Sequence, residues 1–125
     1  MISSKHFSHN ELKCKCGCEG NEMDADFLTR LECVREDYGI GMYASSSYRC
    51  PEHNDRVSST GLEGPHTTGH AIDIRVCSKD ALKVLSFALA HGMTGIGVSQ
   101  KGARGSRFIH LDDLTDGVRP HIWSY

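Results

Sequence analysis

In GPHTTGHAIDIRV, residues 64–76, a glycine-broken turn runs into an alternating segment. Ile72, Ile74 and Val76 fall on one face and Ala71, Asp73 and Arg75 on the other, the period of a half-buried strand. Asp73 therefore projects away from the isoleucines. His66 sits in the turn just before, and Gly69 and Ala71 keep the intervening backbone uncrowded. Imidazole nitrogen and carboxylate oxygen are both zinc ligands.

The neighbouring segments supply the rest of a fold. RFIHLDD, residues 107–113, alternates so that Phe108, His110 and Asp112 share a face, and an adjacent strand would bring His110 opposite Asp73. TGIGV, residues 94–98, reads as a further strand, and GMYASSSYRC, residues 41–50, as one that stops at Pro51. MDADFLTRLECVREDYG, residues 23–39, carries Phe27, Leu28, Leu31, Val34 and Tyr38 at helical spacing, with Asp24 placed to cap its start and Gly39 to end it. SKDALKVLSFALAHG, residues 78–92, predicts a second amphipathic helix, capped by Ser78 and buried along Leu82, Leu85 and Leu89. PEHNDRVSSTGLEGPHTTG, residues 51–69, is polar and without period, which predicts a long loop of the kind that carries function. The expected fold is α+β: a small, mainly antiparallel sheet with helices on one face and a cleft on the other.

Residues 1–125 are expected to form one domain. A net charge of −2, with 24% charged residues, offers no basic face for nucleic acid, so no nucleic-acid partner is expected. No segment approaches the ~20 apolar residues of a membrane helix, and no membrane partner is expected. The N-terminus, MISSKHFSHNELKCKC, lacks a secretory apolar run. The chain is therefore expected to be made in the cytoplasm, and it is expected to be monomeric. Six cysteines without a secretory signal are expected to be reduced thiols. Cys14, Cys16 and Cys18 in CKCGC, with one of Cys33, Cys50 or Cys77, are candidates for a thiolate metal site, although one-residue gaps are tighter than the usual spacing.

His66, Asp73 and His110 together would make a three-ligand site with one position left for water, the arrangement that separates catalytic from structural zinc. On spacing alone the three are equally readable as unrelated surface residues. SSSYRCPEHN, GPHTTGHAIDI, TGIGV, RFIHLDD and RPHIWSY, taken in that order, resemble the zinc D-Ala-D-Ala peptidase family related to the hedgehog signalling domain. The resemblance runs from about Phe7 to the C-terminus. It implies Zn2+ as cofactor, with His66, Asp73 and His110 as its ligands, peptidoglycan stem peptides as substrate, and the cell wall or periplasm, after release, as the site of action. It also implies that Arg49 binds a substrate carboxylate, a task suited to the guanidinium fork.

Two positions depart from the family pattern: Gly64 stands where a serine is usual, and Arg107 where many members place an acidic general base. Arginine cannot accept a proton, so Asp112 becomes the candidate catalytic carboxylate, activating water or orienting His110. His70 and His121 are candidates for substrate binding, while Trp123 and Tyr125 are expected to pin the terminus to the core. The implied activity is that of a zinc metallopeptidase, a D-Ala-D-Ala carboxypeptidase or endolysin-type endopeptidase of phage or bacterial origin. The alternatives are a zinc-containing wall-binding module without turnover and a phage structural component stapled by its metal.

Overall fold

The computed structural model describes residues 1–125. Helix α1 (His9–Leu12) is a single turn closed by a capping box: the Glu11 N–H donates to Ser8 Oγ at 3.2 Å and the Ser8 N–H to Glu11 Oε2 at 2.8 Å. Helix α2 (Ala25–Tyr38) begins where Asp24 accepts the Phe27 N–H at 2.9 Å, a bond of the kind worth about 1 kcal/mol. It ends at Gly39, whose φ of 81° suits the left-handed cap that glycine adopts without strain. Phe27, Leu28, Leu31 and Val34 are buried, as their spacing predicts, with Tyr38 half-buried beside them.

Strand β1 (Tyr43–Ser46) leads into a segment that differs from expectation. Residues 51–69 are not all loop: Pro51–Val57 forms helix α3 and Pro65–Thr68 a 3-10 turn. Pro51 occupies the first helical position, where its fixed φ and missing N–H cost nothing. Asn54 is the helix's one buried residue, so the apolar stripe by which a helix is recognised in sequence is absent.

Strand β2 (Ala71–Arg75) is followed by helix α4 (Ser78–Ala90), whose buried face is also not the expected one. Ala81, Val84 and Ala88 face the core while Leu82 and Leu89 lie exposed; Leu85 packs at the margin. The helix is seated by small side chains, which let its backbone approach α2 and the sheet. Its N-cap is Cys77 rather than Ser78, which is the first helical residue and has a φ of 55°.

Strands β3 (Gly95–Ser99), β4 (Phe108–Asp112) and β5 (His121–Ser124) complete a five-stranded sheet in the order β1-β2-β4-β3-β5. Every pairing is antiparallel except β3 with β5, so the sheet is mixed. β5 is the unexpected strand, and it ladders the C-terminus onto β3. Ile72, Ile74, Ile96, Ile109 and Leu111 form the apolar face against α2 and α4. The first four residues of β2 are buried on both faces, not half-buried as alternation alone implies. α3 and the 3-10 turn rise beside the opposite face, so the helical cover is not confined to one side.

On that opposite face the register aligns cross-strand rows. Asp73, His110, Gly97 and Trp123 make one row; Ala71, Asp112, Gly95 and His121 make the next. The glycines of TGIGV are required here by space. A Cβ on Gly95 would lie 2.2 Å from Asp112 Oδ1, and one on Gly97 2.7 Å from Trp123 Nε1. No helix is long and apolar enough to cross a membrane.

Candidate metal centre

Asp73 and His110 face each other because β2 and β4 pair Cα to Cα at these two residues. His110 Nδ1 lies 3.0 Å from Asp73 Oδ1. His66 joins them from the 3-10 turn, with Nε2 3.2 Å from the same oxygen. All three side chains are buried, and their donor atoms lie within 4.8 Å of one another.

The second nitrogen of each imidazole is anchored away from this point. His66 Nδ1–H donates to the Ser47 carbonyl at 2.7 Å, and His110 Nε2–H donates to Asp112 Oδ2 at 2.8 Å. Each anchor fixes its ring so that the other nitrogen, Nε2 of His66 or Nδ1 of His110, faces Asp73 and is the one a metal would take. Asp112 is itself held by a two-pronged bond, with Arg119 Nε 2.9 Å from Oδ1 and Nη2 2.8 Å from Oδ2. A fully buried carboxylate is thus paired on both oxygens, as its desolvation demands.

Charge balance explains the titration behaviour. Burial alone would raise the Asp73 carboxyl, but the hydrogen bonds from His110 and His66 outweigh it and hold the group well below the usual carboxylate range. Burial likewise opposes the charged form of His110, yet Asp112 and Asp73 raise its pKa above the ordinary imidazole value. At Asp112 burial again acts upward, and His110 with Arg119 prevails, lowering the carboxyl to about 2.

The three donors form the floor of a cleft of about 640 Å3, lined also by Arg49, Arg119, His121, Trp123 and Tyr125. Arg49 donates through Nε to Ser46 Oγ at 3.1 Å and through Nη1 to Asn54 Oδ1 at 3.0 Å, leaving Nη2 3.8 Å from Asp73 Oδ2. Asn54 in turn donates to Thr60 Oγ1 and to the Gly61 carbonyl, fixing the loop above the cleft. Trp123 and Tyr125 line the cleft instead of pinning the terminus inside the core, because alternation in β5 sends them to the same face as His110.

A family model described as Peptidase M15 matches residues 5–112. The chain belongs to the peptidase M15 family. No curated protein matches it. In this M15 peptidase the donor set fits a divalent metal. Two imidazole nitrogens and one carboxylate oxygen converge, each imidazole oriented by a partner behind it, which is the donor chemistry of a hydrolytic zinc site.

The other residues singled out by sequence are placed as follows. Asp112 does not line the cleft; it is fully buried and reaches only His110, Arg119 and the Leu114 N–H. Its position serves to orient His110 and leaves it no access to a water in the cleft. His70 lies outside the cleft, where Nδ1 meets Asp113 Oδ1 at 2.8 Å and Nε2 lies 3.7 Å from Asp24 Oδ1. Arg107 is also outside, donating from Nε to the Gly102 carbonyl at 3.1 Å. At Gly64 a Cβ would meet Thr60 Oγ1 at 2.2 Å, so the Thr60 hydroxyl occupies the space that a serine side chain would need. Sequence reasoning missed Arg119 and Asn54: nothing local marks an arginine in a polar turn, or an asparagine in a short polar helix, as a partner of distant groups.

Proposed function

We propose that this M15 metallopeptidase uses Zn2+ to hydrolyse peptide bonds in bacterial peptidoglycan stem peptides, as a D-Ala-D-Ala carboxypeptidase or an endolysin-type endopeptidase. The observation that carries the reading is the convergence of His66, Asp73 and His110 at the floor of a cleft whose rim bears Arg49. The metal, when bound, supplies a Lewis acid for the hydrolysis.

The protein's own groups do the rest. Asp73 would be the anionic ligand, and Ser47 and Asp112 hold the far nitrogens of His66 and His110, so that Nε2 of His66 and Nδ1 of His110 are the atoms left to a metal. Arg49, braced by Ser46 and Asn54, presents Nη2 to a substrate carboxylate and so sets the register of the peptide in the cleft. Trp123 offers an aromatic wall, with the Arg119 guanidinium 5.0 Å from its ring on one side and the His121 ring stacked 5.8 Å away. Asp73 is the sole acidic residue in the lining, and His121, an exposed imidazole that also lines the cleft, is the group to which we assign contact with substrate and proton exchange with the leaving amine.

The test is incubation of the purified protein with peptidoglycan, with and without a chelator, and identification of released peptides by mass. Metal-dependent release that is abolished in His66→Ala supports the reading. Metal binding without any released peptide from intact wall or from synthetic stem peptides refutes it in favour of a wall-binding module.

A further inference from the structure

A second group of ligating side chains lies apart from the cleft. Cys14, Cys16 and Cys18 come from the loop after α1, and Cys50 is the N-cap of α3; their four sulfurs lie within 4.8 Å of one another. All are free thiols. The separations are 3.4 Å for Cys14–Cys16, 3.6 Å for Cys16–Cys50 and 3.8 Å for Cys14–Cys50. A disulfide needs about 2.05 Å between sulfurs. A tetrahedral zinc–thiolate centre, with bonds of about 2.3 Å, sets its sulfurs about 3.8 Å apart. The observed spacing is that of corners around an ion.

We propose that Cys14, Cys16, Cys18 and Cys50 form a second metal site, a closed four-thiolate zinc centre whose role is structural.

The backbone around the sulfurs is arranged accordingly. Cys14 N–H donates to the Gly20 carbonyl at 2.7 Å, closing the loop, and Gly17 turns it at a φ of 93° between Cys16 and Cys18. The Cys50 N–H donates to Cys14 Sγ and the Gly20 N–H to Cys18 Sγ, both at 3.3 Å, bonds that favour the thiolate form. Cys33 and Cys77 lie outside the group. Four thiolates and one Zn2+ leave two net negative charges, and Lys13 and Lys15 sit in the same loop. Loading the site releases the four thiol protons to solvent.

The site ties the N-terminal segment to the edge of the cleft. Tyr48 N–H donates to the Leu12 carbonyl at 3.1 Å and Ser47 Oγ to the Glu11 carbonyl at 3.2 Å, so residues 11–14 already lie along 47–50. That same stretch carries the Ser47 carbonyl that orients His66, and Arg49 itself. The metal would hold both in place without touching substrate.

The test reads sulfur ligation directly and does not depend on peptidase activity. The full chain is purified under reducing conditions, its zinc counted, and the zinc replaced by Co2+. The expected result is two metal equivalents per chain and an intense near-ultraviolet sulfur-to-cobalt charge-transfer band, which two histidines and a carboxylate do not produce. His66→Ala/His110→Ala should keep one equivalent and the full band, while Cys16→Ser/Cys18→Ser, at two exposed positions, should also keep one equivalent but lose the band. A wild-type cobalt spectrum without the band overturns the proposal even where a cysteine variant fails to fold. So does a band that persists at full intensity in Cys16→Ser/Cys18→Ser.

Discussion

Gly95→Ala places a methyl group 2.2 Å from Asp112 Oδ1 and 2.4 Å from its Cγ. Cβ atoms do not approach other heavy atoms closer than 3.0 Å, so the carboxylate must retreat by roughly 0.8 Å or the two strands must part. Neither is easy, because Asp112 is fully buried and held on both oxygens by Arg119 and His110. Overpacking of this kind costs about 1–3 kcal/mol. Weakening hydrogen bonds to a charged group, worth about 1.5–3 kcal/mol each, adds to that cost. Loss of glycine's freedom in the unfolded chain returns about 0.4–1 kcal/mol. The net expectation is a loss of about 2–4 kcal/mol, at roughly 4 °C in Tm per kcal/mol for a chain of this size. Because Asp112 orients His110, metal affinity at the cleft should also fall by about 10-fold or more. Urea unfolding of the metal-stripped protein isolates the packing cost, and competition with a chromophoric chelator measures the affinity. Gly41→Ala is the control: a Cβ there meets nothing within 4 Å, and its stability should stay within about 0.5 kcal/mol of wild type. If Gly95→Ala matches Gly41→Ala in both assays, the account of Asp112 as a tightly held orienting group is wrong.

Arg119→Met should cost about 3–5 kcal/mol in urea unfolding, because it leaves the buried Asp112 charge without its fork, and Arg119→Met/Asp112→Asn should recover part of that loss. Asp112 titrates at about 2 in the folded protein against an ordinary 3.8, so the stability it contributes is complete above about pH 4 and disappears as pH falls toward 2. Acid unfolding curves of wild type and Asp112→Asn should therefore converge across that interval and stay apart above it. Arg49→Lys should raise KM for stem peptides about 10-fold or more with a smaller change in kcat, since lysine keeps the charge but loses the fork and its bonds to Ser46 and Asn54. An unchanged KM would remove Arg49 from the carboxylate-binding role.

What the sequence determined by itself was short-range. Period two in HAIDIRV and RFIHLDD put Asp73 on one side and His110 with Asp112 on one side, since a strand's side chains alternate whatever surrounds it. Asp24 and Gly39 marked the ends of α2 because caps act within a few residues. The α4 face did not follow from its leucines: Leu82 and Leu89 are exposed, and the choice of Ala81, Val84 and Ala88 depended on how closely the helix approaches α2 and the sheet. Helix α3 was illegible for want of an apolar stripe, and β5 because a parallel edge pairing depends on a strand far upstream. Only the tertiary structure decided that Asp73 meets His110 in register, that His66 Nε2 closes on the same oxygen, that Arg119 reaches back to Asp112, and that Cys50 joins the cysteines of the N-terminal loop. These contacts join residues far apart in the chain, and their geometry is set by the packing of the whole sheet and its helices, a sum over many distant contacts that no local window of sequence contains.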